Sequence, residues 1–436
     1  MSSTLAAISY ARAAMPFDVI HTIVGLVYEE HDLSTLIAVS ATCLQCLPLC
    51  RKLIFSRIGV SVEDLHETPG QLSLSVHSLG KLLKSRPSIA RYIAKLEINA
   101  SNPVFPGEEL LPLLPRLTFV KTLLLTCKPL QTLYMLQHRI GRMDDWTYIK
   151  QSTRHCVDCL LRKPSITELE ISHLYYFPDA MFAICPTVTR LSLNDVTFSK
   201  DGPQLGRPAK PMLFSNIFRP RLTQLEIGRN FYGFGFFNAI GNFKLDPESL
   251  DFSGVKALSI YLQWNTQLPL FSRLMHKVER LDTLQLTMED SDPHFPGHFS
   301  ILHLMGLPAT RHIRHLKLVY LEGYSGTEEL LGVAPCVDAL RRVQRKELLE
   351  TVSIQLRSSL AYQELIEEDL KTLDAALTDH EFRSLNRVGL TITIAAQDTR
   401  SIPTPTPSTL VQHLVHLSAH PSRGLDFEFV VETDPE

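Results

Sequence analysis

Apolar residues recur along the chain in a short, fixed pattern. The stretch LTQLEI, from Leu222 to Ile227, has apolar residues at its first, fourth and sixth positions. The step from Leu225 to Ile227 is the period of a β-strand, and the step from Leu222 to Leu225 is typical of a turn that enters the strand. We therefore expect Leu225 and Ile227 to point into a core, with Gln224 and Glu226 on the opposite face of a sheet.

The same pattern appears in nine further places. In chain order the copies are IAKLEI from Ile93, VKTLLL from Val120, ITELEI from Ile166, VTRLSL from Val188, VKALSI from Val255, LDTLQL from Leu281, IRHLKL from Ile313, LETVSI from Leu349 and LNRVGL from Leu385. A last strand, LDFEF, is expected from Leu425. With 44% apolar residues, this spacing also arises by chance, but the middle apolar residue is Leu in eight of the ten copies. The constant Leu indicates a true repeat.

The intervals between copies leave room for a loop and usually a helix. They run from 22 residues, between Ile166 and Val188, to 46 residues, between Val120 and Ile166. Apolar stripes of helical period lie in these intervals, for example the stripe that runs through Leu370 and Leu377. Strand and helix alternating every ~25–35 residues is typical of leucine-rich repeats.

Residues 93–430 therefore resemble the leucine-rich-repeat family. The resemblance implies an α/β fold: a leucine-rich-repeat-like solenoid with parallel strands and outer helices. The family places Asn or Cys three positions after the last apolar strand residue, and among the ten copies Asn230 alone meets this rule; Leu174 and Val196 occupy the position in two others. We expect an irregular solenoid without a regular side-chain ladder. An ordinary doubly wound α/β domain remains the alternative.

The first ninety residues carry a different pattern, which predicts three helices. Pro16 suits the first turn of a helix, Asp32 can cap the second, and the third runs from Leu44 to Phe55. One apolar stripe on the first helix consists of Val19, Ile20, Ile23, Val24 and Val27. A unit of about forty residues is too small to be stable alone, so we expect it to pack on the repeats or on a partner.

This segment resembles an F-box from Met15 to about Ile58. The matching features are Pro-x-x-Val-Ile-x-x-Ile, then Asp-Leu, then Leu-x-x-Val-Ser and a distal Leu-Ile-Phe. The family usually opens with Leu-Pro, where this chain has Met15-Pro16. The usual Cys/Ser-Arg-x-Trp segment is replaced by a run that begins with Ala41.

An F-box followed by leucine-rich repeats is the architecture of substrate adaptors in cullin–RING (SCF) ubiquitin ligases. The resemblance implies that the F-box binds the Skp-type linker protein of the cullin complex and that the repeats bind a protein substrate. The residues in the matching helices are Pro16, Val19, Ile20, Ile23, Leu33, Leu36 and Val39. The alternative is that these residues are only the core of a helical cap on the first repeat.

Aromatic residues are concentrated just after the strand LTQLEI. The segment from Asn230 contains Phe231, Tyr232, Phe234 and Phe236, and aromatic side chains are favoured anchors in protein interfaces. Together with Gln224 and Glu226, these four are the candidate substrate-binding residues. The alternative is a loop folded into the core.

Composition narrows the class of protein. The net charge is −3, so no broad basic field is available for nucleic acid or an anionic membrane. Eight cysteines are too few for a disulfide-dense secreted domain. The chain shows neither a signal peptide nor a membrane span. We expect a soluble cytoplasmic or nuclear protein.

No group of residues predicts catalysis or a bound cofactor. His155, Cys156 and Cys159 could supply three metal ligands, but an isolated group on one amphipathic helix more often serves packing. Cys43, Cys46 and Cys50 are expected to be small buried apolar side chains. We therefore predict a protein that is not an enzyme and has no metal site or cofactor.

The predicted organisation is a tail (residues 1–14), an F-box-like helical unit (15–60), a helical connector (61–92), the repeat solenoid (93–430) and a tail (431–436). Two functional alternatives to the ligase adaptor stay open. One is a repeat scaffold for protein interactions without a ligase partner. The other is a divergent α/β enzyme whose site the sequence does not reveal.

Overall fold

The computed structural model describes residues 17–30, 32–42, 46–61, 71–100, 105–127, 146, 149–199, 219–228, 250–262, 268–289, 304–321, 333–358, 363–395, 411–419 and 425–434. The chain divides into two compact units. The first comprises Met1–Thr126 with Ile149–Leu160, and the second comprises Cys127–Tyr148 with Leu161–Glu436. This division differs from the predicted boundary at residue 93, because the first two predicted repeat strands belong to the same compact unit as the N-terminal helices.

Three helices open the described part of the first unit: α1 (Phe17–Glu29), α2 (Leu33–Thr42) and α3 (Leu47–Ile54). They confirm the helical prediction for this segment. Their shared core consists of Val24, Leu36, Cys46, Cys50 and Ile54. Cys46 and Cys50 are therefore small buried apolar side chains, as the sequence predicts, and Cys43 lies outside the described residues.

Four parallel strands lie in the described part of this unit, in the order β2-β1-β3-β4. They are β1 (Arg57–Ser61), β2 (Leu72–Ser75), β3 (Lys95–Asn99) and β4 (Thr122–Thr126). The last two confirm the first two copies of the repeat pattern. Strand β1 carries a variant of that pattern, with Phe55, Ile58 and Val60 at the three apolar positions, but neither β1 nor β2 was predicted.

The segment 61–92 is therefore not a purely helical connector. Strand β2 pairs with β1 in register, Leu72 opposite Ile58, and only then does helix α4 (Val76–Ser85) begin. The Ser75 hydroxyl marks the change from strand to helix by accepting a hydrogen bond from the Ser78 amide at 3.1 Å. Partner-strand pairing decides the conformation of so short a strand, and a single-sequence pattern does not record it.

Two further helices complete the first unit, α5 (Gly107–Leu110) and α6 (Gln151–Leu161). Gly107 lies directly against the backbone of α6, and a Cβ added there would be 2.6 Å from the Thr153 nitrogen. The Thr153 hydroxyl donates to the Phe105 carbonyl at 3.3 Å. Glycine at position 107 is what permits this close approach.

The described part of the second unit contains nine parallel strands that follow one another in chain order. They are β5 (Glu168–Pro178), β6 (Arg190–Ser199), β7 (Gln224–Ile227), β8 (Ala257–Leu262), β9 (Thr283–Glu289), β10 (His315–Leu321), β11 (Thr351–Ser358), β12 (Arg387–Ala395) and β13 (Asp426–Asp434). Every remaining copy of the repeat pattern is confirmed as a strand.

The register aligns the middle apolar residues of the pattern in one buried row. The row contains Leu169, Leu191, Leu225, Leu258, Leu284, Leu316, Val352, Val388 and, at its end, Phe427. Leu225 and Leu284 are fully buried, while Glu226 on the opposite face is exposed. The constant Leu of the sequence pattern is thus the side chain that fills the gap between neighbouring repeats.

Backbone hydrogen bonds fix the entry into each strand. The Thr189 carbonyl accepts from the amides of Thr223, at 2.8 Å, and Gln224, at 3.1 Å. The Lys256 carbonyl does the same for Asp282 and Thr283. This forked acceptor recurs from repeat to repeat in both units and uses no particular side chain. It keeps the strands in register where most repeats lack the Asn or Cys of the family.

Helices follow several strands of the second unit: α7 (Leu268–Met275), α8 (Val333–Arg342), α9 (Gln363–Leu377) and α10 (Val415–Ala419). The buried Asp374 carboxylate of α9 accepts from the amides of His416, at 2.9 Å, and Leu417, at 2.8 Å. It also contacts His416 Nδ1 at 2.7 Å. One helix therefore caps the first turn of the other.

The predicted fold class is confirmed: α/β, with parallel strands and helices in a leucine-rich-repeat-like arrangement. The doubly wound alternative is wrong, because doubly wound sheets reverse their strand order at a switch point. Strands β5 to β13 run in unbroken sequence order instead.

Candidate binding surfaces

Helices α1 and α2 present large apolar side chains to solvent. Val19, Ile23 and Leu26 are 44%, 43% and 55% exposed, and Ile37 of α2 is 51% exposed. The first three are spaced i, i+4 and i+7, which places them on one face of α1. We call these four residues the α1–α2 apolar surface. An exposed apolar face on a helix is typical of an interaction site.

The position of α2 depends on an N-terminal cap predicted from the sequence. The Asp32 carboxylate accepts from the Thr35 amide at 2.9 Å and from the hydroxyl groups of Ser34 and Thr35. Hydrogen bonds from Ser34 and Thr35 lower the pKa of Asp32 to about 2. The carboxylate thus satisfies a free amide at the start of α2 and favours its own ionised form.

The predicted linker-binding residues that the structure describes fall into three groups by burial. Val19 and Ile23 belong to the α1–α2 apolar surface. Ile20, Leu33 and Val39 are half-buried against the three-helix core. Leu36 is fully buried, so it supports the helices and offers no surface, while Pro16 lies outside the described residues.

Sequence reasoning missed two members of the α1–α2 apolar surface. Leu26 continues the face of Val19 and Ile23 by one turn, so the helical period alone would have identified it. Ile37 follows Leu36 directly on α2 and was not among the residues selected from the sequence. Exposure, rather than apolar character, distinguishes it from Leu36 one residue earlier.

A second surface is the polar face of strands β5 to β7. Glu226 lies in register with Ser192 of β6, and Ser192 lies in register with Glu170 of β5. Two residues earlier on β7, Gln224 lies beside Arg190, whose guanidinium pairs with the Glu168 carboxylate at 3.0 Å. The two predicted substrate residues of β7 thus share a polar face that carries both signs of charge.

The aromatic segment predicted beside this face lies outside the described residues, and so do Phe231, Tyr232, Phe234 and Phe236. The description of this stretch ends at Gly228 and resumes at Leu250. A Cβ at this position would be 2.9 Å from Asn194 Oδ1. Glycine therefore lets β7 end against β6 without displacing that side chain.

Among the described residues, three non-glycine residues adopt left-handed backbone conformations. They lie in the parts of β5 and β6 that continue beyond the level of Ile227, the last residue of β7. They are His173 (φ 53°), Tyr176 (φ 55°) and Asp195 (φ 55°). His173 Nδ1 lies 3.1 Å from Asp195 Oδ2. The Tyr175 hydroxyl lies 3.0 Å from both oxygens of the buried Asp195 carboxylate. We call His173, Tyr175 and Asp195 the strand-exit cluster.

The left-handed residues let both strands continue. Strict alternation after Ile171 would turn His173 inward, but its backbone brings Leu174 into the core instead. Asp195 does the same for Val196, which pairs with Leu174 across the strands. These are two of the three positions where the sequence shows an apolar residue in place of the family's Asn or Cys, the third being Leu321, and these two fall in consecutive copies. That substitution is the signal that could have located the cluster.

An aromatic core supports the extended part of β5 and β6. The ring centroid of Phe177 lies 5.0 Å from that of Trp146, 5.9 Å from that of Phe182 and 6.5 Å from that of Phe198. Above it, Tyr176 is 41% exposed and its amide donates to the Thr197 hydroxyl at 2.9 Å. Rigid packing therefore holds an exposed aromatic side chain beside the strand-exit cluster.

Of the group His155, Cys156 and Cys159 on α6, Cys156 alone is buried in the core. Cys156 is fully buried, and burial, with a smaller contribution from Cys159, raises its pKa to about 12. His155 Nε2 lies 3.8 Å from Cys159 Sγ. Within the described ranges, no cluster of three or more His, Cys, Asp or Glu residues could hold a metal ion.

Comparisons with known proteins add nothing to the fold described above. No protein-family model matches the chain, and no curated protein matches it. Among solved structures, a crystal structure of an internalin (inlF) from Listeria monocytogenes is similar at 10% sequence identity. The similarity covers 83% of this chain and 89% of that chain, with a TM-score of 0.26, which is too low to define a shared fold.

Of the helices in the described ranges, none has the length and apolar character that crossing a membrane requires. The arrangement of parallel strands, turns and helices is the class of fold used for protein interaction. The α1–α2 apolar surface and the polar face of β5 to β7 are the candidate surfaces for such an interaction.

Proposed function

We propose that this protein is a non-catalytic substrate adaptor of a cullin–RING ubiquitin ligase. Helices α1 to α3 bind the Skp-type linker protein, and the polar face of the second-unit sheet binds a protein substrate. The observation that carries the proposal is the α1–α2 apolar surface, which coincides with the segment that resembles an F-box.

The apolar surface supports a protein partner for a physical reason. Each fully buried Val, Leu or Ile side chain contributes about 1.5–3 kcal/mol relative to the exposed state. Val19, Ile23, Leu26 and Ile37 forgo much of that contribution in the free chain. The three-helix core beneath them is already filled by Val24, Leu36 and Ile54. A partner that covers α1 and α2 would therefore gain affinity without disturbing this core.

The polar sheet face supports a protein substrate rather than a small molecule. Its side chains along β5 to β7 include Glu170, Arg190 and Glu226, which come from three neighbouring strands. Arg190 and Glu226 are exposed. Small-molecule sites are concave and mostly apolar, whereas protein interfaces have polar rims that carry both signs of charge.

The deciding experiment is co-purification of the full chain with a Skp-type linker protein. The informative variant is Val19→Glu with Ile23→Glu, because both side chains are exposed and their replacement leaves the core intact. Ile20 is a poorer choice, since it packs against that core. His21→Glu is the matched control: it is exposed on α1 but lies on the side opposite Val19.

We expect the linker to bind the wild-type chain and the His21→Glu control, and not the double variant. Circular dichroism would establish that all three chains are folded. If no linker binds the wild-type chain, the ligase role fails. A protein-interaction scaffold would then be the remaining function for this fold.

A further inference from the structure

A cleft of about 390 Å³ lies on the helical side of the second unit, away from the residues assigned above. Helices α8 and α9, the short 3₁₀ turn Lys346–Leu348 and Phe382 form its walls. Its volume falls within the ~300–1,000 Å³ range of small-molecule sites. The surfaces assigned to linker and substrate do not use it.

Cations outnumber anions in the lining of this cleft. Arg341 comes from α8, Lys346 from the 3₁₀ turn and Lys371 from α9, and the single carboxylate in the lining is that of Asp379. The three positive side chains thus converge from three separate elements. Such an arrangement favours a negatively charged ligand.

The three cations differ in how far other groups already neutralise them. Lys346 pairs with the Glu381 carboxylate, and its side chain is only 18% exposed. Arg341 makes a weak, exposed contact with Asp338 at 3.4 Å, which contributes little. The Lys371 side chain is exposed on α9. Arg341 and Lys371 are therefore accessible to a ligand.

Apart from Thr372, the rest of the cleft is apolar. Leu340, Ala375, Ala376 and Phe382 line it, and Leu340 and Phe382 are buried. The Lys346 ammonium lies 5.6 Å from the centroid of the Phe382 ring, which holds the lysine against that wall. A ligand would meet charge from Arg341 and Lys371 and apolar surface from the remaining lining.

We propose that this cleft binds a small organic oxyanion, a carboxylate or phosphate group attached to a short apolar body. Arg341 binds the oxyanion through its planar guanidinium, which matches two oxygens at once, and Lys371 adds a second charge. The apolar body packs on Ala375, Ala376 and the edge of Phe382. This site is separate from the linker and substrate surfaces and does not depend on the proposed function.

The test is binding of defined probes to the full chain, measured by isothermal titration calorimetry. Benzoate and phenyl phosphate present the two possible head groups on the same ring, and benzyl alcohol is the neutral counterpart. Arg341→Gln and Lys371→Gln remove the two available charges. Arg342→Gln is the matched control, because Arg342 is an exposed neighbour on α8 that does not line the cleft.

We expect at least one of the two anions to bind and the alcohol not to bind. Arg341→Gln and Lys371→Gln should each weaken binding about tenfold, since each removes a charge-assisted contact. Arg342→Gln should change the affinity less than twofold. The relative affinities of benzoate and phenyl phosphate identify the preferred head group. Absence of binding by both anions, equal binding of the alcohol, or equal loss with Arg342→Gln would overturn the proposal.

Discussion

Apolar residues of the same type are exposed on the N-terminal helices and buried in the nine strands of the second unit. Leu284 of β9 is completely buried, whereas Leu26 of α1 is 55% exposed. Each strand of the sheet has a neighbour that covers its apolar row, and at β13 the Phe427 and Phe429 side chains are only half-buried. The helices have a core of their own, and their outer apolar residues remain uncovered.

This difference separates residues that hold the fold together from residues that await a partner. In a repeat array, stability comes from contacts between neighbouring repeats. The row that contains Leu225 and Leu284 is such a contact. In the described part of its unit, the α1–α2 apolar surface is exposed. Substitutions there should therefore change binding and leave the core intact. Substitutions in the two regions should therefore have opposite consequences.

The largest expected effect is on stability. Leu284→Ala leaves a cavity between neighbouring repeats and should lower the free energy of unfolding by about 2–5 kcal/mol. Leu26→Ala, the same substitution at an exposed site, should change it by no more than about 0.5 kcal/mol. Urea denaturation followed by circular dichroism measures both. Equal destabilisation by the two variants would contradict the division between the regions.

A smaller effect is expected at the strand-exit cluster, the least regular part of the sheet. Asp195→Ala removes the acceptor for the Tyr175 hydroxyl and the contact to His173. It also leaves alanine at a φ of 55°. The variant should lose about 1–3 kcal/mol of stability. Asp195→Asn should lose about 1 kcal/mol less, because asparagine tolerates left-handed backbone and its carbonyl oxygen still accepts from Tyr175.

The control for this pair is Ser192→Ala, a half-exposed position on the same strand, which should be close to neutral. The measurement is again urea denaturation. If Asp195→Asn were as destabilising as Asp195→Ala, the left-handed backbone and the retained hydrogen bond would not be the source of the effect.

The sequence predicted most of the repeat strands because one residue type marks them. A leucine that fills the space between repeats, such as Leu225 or Leu258, is required at every turn of the array, so its period is visible in a single chain. Strand β1 has Ile58 in the position of that leucine, and β2 has Leu72 there but Pro69 at the first position of the pattern. The pattern of β1 is therefore readable once Ile is allowed in the middle position, whereas β2 is defined by its pairing with β1.

The candidate surfaces were only partly predictable for a related reason. Amphipathic spacing predicts that residues such as Ile23 and Leu36 are apolar members of a helix, but it does not tell which of them a neighbouring helix covers. The strand-exit cluster depends on left-handed backbone at His173 and Asp195, which common strand patterns do not include. The cleft beside α8 gathers Arg341 and Lys371 from separate repeats, and such proximity exists only in the folded chain.

The smallest expected effect concerns pH and the N-terminal helices. The pKa of Asp32 falls from 3.8 to about 2 in the folded chain. A lowered pKa means that its contribution to stability is fully present above about pH 4, declines between about pH 4 and pH 2, and is absent below. Removing the carboxylate with Asp32→Ala should therefore weaken α2 at neutral pH and have a much smaller effect at pH 2.

Hydrogen exchange read by mass spectrometry, corrected for intrinsic exchange rates, measures this in peptides that cover α2. The ratio of wild-type to Asp32→Ala protection should fall towards one as the pH is lowered from 6 to 3. Asp18→Ala, which removes an exposed carboxylate from the first turn of α1, should leave the protection of α2 unchanged. A ratio that stays constant or rises with acid would show that hydrogen bonds to the ionised Asp32 do not hold α2, and the α1–α2 apolar surface would then need another means of positioning Ile37.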